Sequence, residues 1–186
     1  MWQKKLNNVI VFLGFCFFSG CQKESEELIA IKQLLVSFMN CNINFPERVV
    51  VVEKGTVMLK EMPVFQEPVL VYFMGSKDCF ECEIAHLQDL IPIFRKAEKD
   101  TRFQVIIILA PEDGYLDHVL HDLNLAVFPY PIYVSLNSEW ARQSGIPGDP
   151  RFHTFLLDEN KHPCLVGDPL SDKHMMKLFN KTLKNH

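Results

Sequence analysis

Basic residues are not in excess in this 186-residue chain: 19 Lys and Arg stand against 23 Asp and Glu, with seven His beside them. Nucleic-acid binding needs a basic face, and this balance argues against such a partner. No nucleophile elbow occurs, so a Ser–His–Asp hydrolase has no support. No internal repeat or low-complexity tract appears, which leaves solenoids and disordered arrays aside. The apolar stretch from Val9 to Phe18 is shorter than the run of about 20 residues that a spanning helix usually needs. What the chain does have is a leader, a run of alternating elements and six cysteines.

Lys4 and Lys5, the apolar stretch, then Ser19 and Gly20 ahead of Cys21 have the order of a secretory signal peptide and its cleavage site. Phe18-Ser19-Gly20-Cys21 resembles the bacterial lipobox, although Phe18 stands where Leu is usual. The resemblance implies cleavage after residue 20 and lipidation of Cys21. An uncleaved anchor would tether the same domain to the same membrane, and acyl chains hold it by burying methylenes at ~0.8 kcal/mol each. Residues 1–20 are thus expected to be leader, 21–44 the lipidated cysteine, linker and a first helix, and 45–186 the folded domain. The leader holds two Lys and no acid, so the mature chain carries 17 basic and 23 acidic residues, a net charge of −6. Gln22 to Glu27 reads as a solvated tether. Its acidic run also resembles signals that route some lipoproteins to the outer surface.

Leu28, Ile31, Leu35 and Phe38 recur at helical spacing, so Glu26 to Met39 is expected to be an amphipathic helix. Val49 to Val52 reads as a strand. Val69 to Met74 (Val-Leu-Val-Tyr-Phe-Met) has no polar face, as a strand covered on both sides requires. Phe80 to Lys99 turns helical, with Pro92 expected to kink it. Phe103 to Leu109 is a second buried strand, and Pro111 to Asn124 a helix. Ile132 to Ser135 reads as a short strand and Asn137 to Ser144 as a short helix. Gly145 to Pro150 is a loop. His153–Leu157 and Cys164–Val166 form a hairpin about Asp158 to Lys161, and Ser171 to Lys184 closes the chain as a helix. This order predicts an α/β sandwich on a mixed sheet, with right-handed parallel crossovers.

Cys79-Phe80-Glu81-Cys82 lies between the buried strand and the helix that follows. Free N–H groups at a helix start favour a thiolate there. Cys79, at the tip, is expected to be the nucleophile; Cys82, one turn in and more buried, is expected to resolve the mixed disulfide. Asp78 and Glu81 disfavour the thiolate while Lys77 favours it, which points to a reductant. A purely structural disulfide is the plain alternative, though so short a loop adds little through chain entropy.

The segment from Val69 to Cys82 looks like the strand–CxxC–helix unit of thioredoxins. Thr154 to Lys161 looks like the hairpin that follows in lipoprotein and membrane-tethered thiol–disulfide reductases. The likeness covers about residues 45 to 184. It implies a thioredoxin-like three-layer sandwich with a central mixed β-sheet, and an envelope thiol–disulfide oxidoreductase without cofactor. Its partners would be exported proteins with thiols or disulfides and an upstream electron donor, met from a lipid anchor on the periplasmic side of a membrane. Two departures stand out: Asp78 replaces the usual Trp, and Phe152 holds the place of the cis-proline, two residues after Pro150. Pro150, Phe152 and His153 are therefore the expected substrate-docking loop.

Two other readings share these residues. A thioredoxin-fold binding module would keep the fold without efficient turnover. A copper(I) chaperone would use Cys79, Cys82, His86 and His153 as ligands, although the chaperones on this fold carry CxxxC. Ser76 gives thin support to peroxidase chemistry. Cys41 and Cys164 could pair, which the sequence does not decide. His118 and His121, with Asp117 and Asp122, read as a solvated helix face.

Overall fold

A computed structural model describes residues 26–75 and 79–185. The leader, the lipobox with Cys21, and Ser76, Lys77 and Asp78 lie outside the described residues. Among the described residues no helix is long and apolar enough to cross a membrane.

The elements are α1 (Glu26–Met39), β1 (Arg48–Glu53), β2 (Thr56–Glu61), β3 (Val69–Met74), α2 (Phe80–Ala85), α3 (Ile91–Ala97), β4 (Gln104–Leu109), α4 (Leu116–Leu125), β5 (Ile132–Ser135), α5 (Trp140–Gln143), β6 (Thr154–Leu157), β7 (Pro163–Val166) and α6 (Lys173–Thr182). All seven strands join one sheet in the order β2-β1-β5-β4-β3-β6-β7. β3 pairs in parallel with β4, and β4 with β5; the other pairings are antiparallel. The sheet is mixed, as expected, and helices cover both faces.

Burial explains the pattern. Every residue of β3 is buried, because alternate side chains feed two cores. Leu70, Tyr72 and Met74 enter the core beneath Ile93, Phe94, Val119 and Phe179. Val69, Val71 and Phe73 enter the opposite core with Phe38, Trp140 and Phe155. Phe38 of α1 meets Phe155 edge-on at 5.1 Å, so the first helix is packed onto the sheet.

Three elements differ from expectation. β2 is a strand that the sequence reading left out; it pairs β1 through a hairpin in which Lys54 and Gly55 both take positive φ. Its side chains lie almost wholly in solvent, so it carries no apolar face to betray it. The long helix after Cys82 is broken into α2, a 3-10 turn over Leu87–Leu90, and α3, with Pro92 in the first turn of α3. A proline there lacks only an N–H that has no helical partner, so it starts a helix rather than kinking one. α4 begins at Leu116, five residues after Pro111, and no side chain caps it.

Candidate redox site at the end of the third strand

β3 ends at Met74, and the cysteine pair opens the next helix, α2. Gly75 follows the strand, and a Cβ on it would stand 3.1 Å from the Phe73 ring and 3.4 Å from His153 Cε1. The missing side chain lets the loop before β6 close over the strand end. Cys79 then caps α2 with an extended backbone, and its carbonyl accepts the Glu83 N–H at 2.9 Å. Its Sγ accepts the Cys82 N–H at 3.4 Å.

The two cysteines form a disulfide with their Cα atoms 5.2 Å apart. Both residues are exposed. Cys82 is thus not the more buried partner that the sequence suggested. α2 ends after six residues and its inner face is only half covered, so one turn into the helix is still surface. Glu81 and Glu83 place two carboxylates in the first turn.

The loop expected to dock substrate reaches the same end of the sheet. Asp149 caps a 3-10 turn over Pro150–Phe152 by accepting the Arg151 N–H at 3.0 Å. Phe152 turns inward: it is 2% exposed and meets Phe38 edge-on at 6.1 Å. It therefore lines no docking face, a correction to the expected loop. Pro150 is exposed while His153 is buried, at 7% exposure, and both line a cleft of about 330 Å³ with Glu83, His86 and Asp168. That cleft joins the helix carrying the pair to the loop. Among the described residues no peptide bond is cis.

His153 is the hinge of this arrangement. Its carbonyl accepts the Phe73 N–H at 2.8 Å, its Nε2–H donates to the Pro147 carbonyl at 3.1 Å, and its ring stands edge-on to Phe73 at 4.8 Å. With Nε2 bonded to a carbonyl and both sulfurs bonded to each other, the four-residue copper set offers no open ligand group on those atoms in this state. His86 is exposed and pairs with Asp89 at 3.0 Å. Beneath the cleft, Tyr72 donates its hydroxyl to Asp168 Oδ1 at 2.7 Å. Burial, and then the Asp168 charge, pushes the Tyr72 phenol well above its ordinary range, so it stays protonated and keeps donating. Cys41 and Cys164 are free rather than bonded to each other.

The sequence placed His118 and Asp122 on a solvated helix face, and the structure brings that face to Glu81. His118 of α4 lies 3.4 Å from Glu81, the residue between the two cysteines, and 3.5 Å from Asp122. The i, i+4 spacing of His118 and Asp122 was visible on the helix face, but the approach to Glu81 exists only once α4 packs beside α2.

No protein-family model matches the chain, and no curated protein does. Solved structures do. One assigned to a thiol:disulfide interchange protein DsbE from Chlorobium tepidum aligns with a TM-score of 0.51 at 17% identity, over 77% of this chain and 98% of that one. Another, assigned to an electron transfer protein from Aquifex aeolicus VF5, aligns with a TM-score of 0.51 at 10% identity, over 77% of this chain and 95% of that one. At such identities the likeness speaks of fold. The chain has a thioredoxin-like fold, with its cysteine pair at the junction of a central strand and the helix after it.

Proposed function

We propose that the chain is a thiol–disulfide oxidoreductase of a bacterial cell envelope, anchored through lipid on Cys21, with Cys79 as nucleophile and Cys82 as resolving residue. The observation that carries this reading is the exposed Cys79–Cys82 disulfide whose first sulfur accepts a backbone N–H from the second cysteine. A sulfur so placed is open to a partner, and its thiolate keeps a donor when the bond is broken.

The reaction balances in two exchanges. The reduced pair presents a Cys79 thiolate, which attacks one sulfur of a partner disulfide and releases the other partner sulfur as thiolate. Cys82, deprotonated in turn, attacks Cys79 of the mixed disulfide and frees the second partner thiol. Two electrons have then passed to the exported protein, and an upstream dithiol must restore them. The acids Glu81 and Glu83 in the first turn oppose a stable thiolate, which favours the role of reductant.

The test is to trap the intermediate. The Cys82→Ala chain, mixed with a disulfide-bonded exported protein, should accumulate a mixed disulfide through Cys79, whereas Cys79→Ala should form none. Failure of Cys82→Ala to capture any disulfide-bonded protein would leave a binding module as the better reading.

A further inference from the structure

We infer that Glu81, His118 and Asp122 form a binding site for a divalent first-row transition cation, set beside the cysteine pair and joining α2 to α4. The three ligand atoms, Glu81 Oε1, His118 Nε2 and Asp122 Oδ2, all lie within 4.8 Å of one another, and they are the one such group among the described residues. The inference stands on these residues and not on the redox reading above.

Three observations carry it. The first is spacing. His118 Nε2 is 3.4 Å from the Glu81 carboxylate and 3.5 Å from that of Asp122. Charge-assisted hydrogen bonds close to roughly 2.7–2.9 Å. Bonds of ~2.1 Å to a tetrahedral ion set ligand atoms about 3.4 Å apart. The two separations from the imidazole match the edge of a coordination polyhedron better than they match a bonded ion pair, and the two carboxylate oxygens lie within 4.8 Å of each other.

The second is proton supply. Nε2 can carry one hydrogen, yet two carboxylate oxygens face it. Whichever of them takes that hydrogen, the other is left against the same nitrogen without a donor. The third is burial: Asp122 Oδ2 is out of contact with solvent and receives no hydrogen bond, the His118 nitrogen standing off at 3.5 Å. A carboxylate oxygen shut from water and faced only at ion-pair distance by the His118 ring is poorly compensated, and a cation at the centre of the three atoms lowers that cost.

The donor set narrows the ion. One imidazole and two carboxylates suit zinc or iron(II) more than copper(I), which takes soft sulfur, or calcium, which takes oxygen alone. Three protein ligands leave a position open to water, and the imidazole and the Glu81 carboxylate are exposed enough for an ion to enter. Because Glu81 stands between Cys79 and Cys82, the ion fastens the turn that holds the disulfide to α4.

The experiment is calorimetric titration of the disulfide-bonded full chain in detergent with Zn²⁺. The expected result is saturation at one equivalent, with affinity falling about tenfold or more in each of His118→Gln, Asp122→Asn and Glu81→Gln. A Cys79→Ser/Cys82→Ser chain should bind as the unaltered chain does, which separates this site from the dithiol. Zn²⁺ should also raise the melting temperature of the unaltered chain and not of His118→Gln, whose exposed ring leaves the core untouched. No saturable uptake, or uptake undiminished by the three substitutions, would overturn the inference.

Discussion

The four cysteines of the described residues fall into two pairs of opposite character. Cys79 and Cys82 are exposed, bonded to one another and set at the start of α2. Cys41 and Cys164 are half-buried and free. Cys41 leans on the end of α1, its Sγ donating to the Ser37 carbonyl at 3.5 Å. Cys164 sits in β7 with its Sγ toward the Leu156 carbonyl at 3.4 Å, and burial, then the Asp158 charge, pushes its thiol up to about 11. The same side chain is thus a candidate reagent in one place and packing in the other. What separates them is access and the donors around sulfur.

The largest test of that contrast is loss of exchange. Cys79→Ala should abolish reduction of a disulfide-bonded protein, while Cys41→Ala and Cys164→Ala keep it; a turnover assay on the three chains reads the difference. Next in size is reactivity. At pH 8 a thiol pushed from 9 up to about 11 holds about a hundredfold less thiolate, so Cys164 should alkylate about a hundredfold more slowly than an ordinary thiol in the folded chain. Its rate should climb with pH until about 11, and unfolding should erase the gap. Mass spectrometry after timed iodoacetamide exposure measures it.

Smaller effects probe the packing around the free pair. Gly145 holds φ at +78°, and a Cβ there would come within 2.7 Å of Cys41 Sγ. Gly145→Ala should cost ~1–3 kcal/mol in urea unfolding. Cys164→Ser keeps a donor for the Leu156 carbonyl and should cost about 1 kcal/mol or less, with exchange unchanged.

Much of this was legible in the chain itself, for reasons that differ by element. β3 announces itself because a strand covered on both faces must be apolar throughout, and β4 does so from Val105 to Leu109. The CxxC at a strand–helix junction located the pair, since spacing and neighbours decide that chemistry locally. β2 was hidden because an edge strand in solvent needs no apolar face. The exposure of Cys82 followed from the early end of α2, which turned on a proline placed to restart a helix. The inward turn of Phe152 depends on Phe38, over a hundred residues away, and the Glu81–His118 approach on how two helices pack. Neither contact leaves a local mark in the sequence.

The central claim is that the exposed pair exchanges electrons while the half-buried thiols do not. Equilibrating the folded chain across dithiol–disulfide buffers, quenching with acid and locating alkylated residues by mass tests it most directly. The account predicts a single reversible two-electron step that adds labels to Cys79 and Cys82 together. A bond that opens only when the chain unfolds would contradict it.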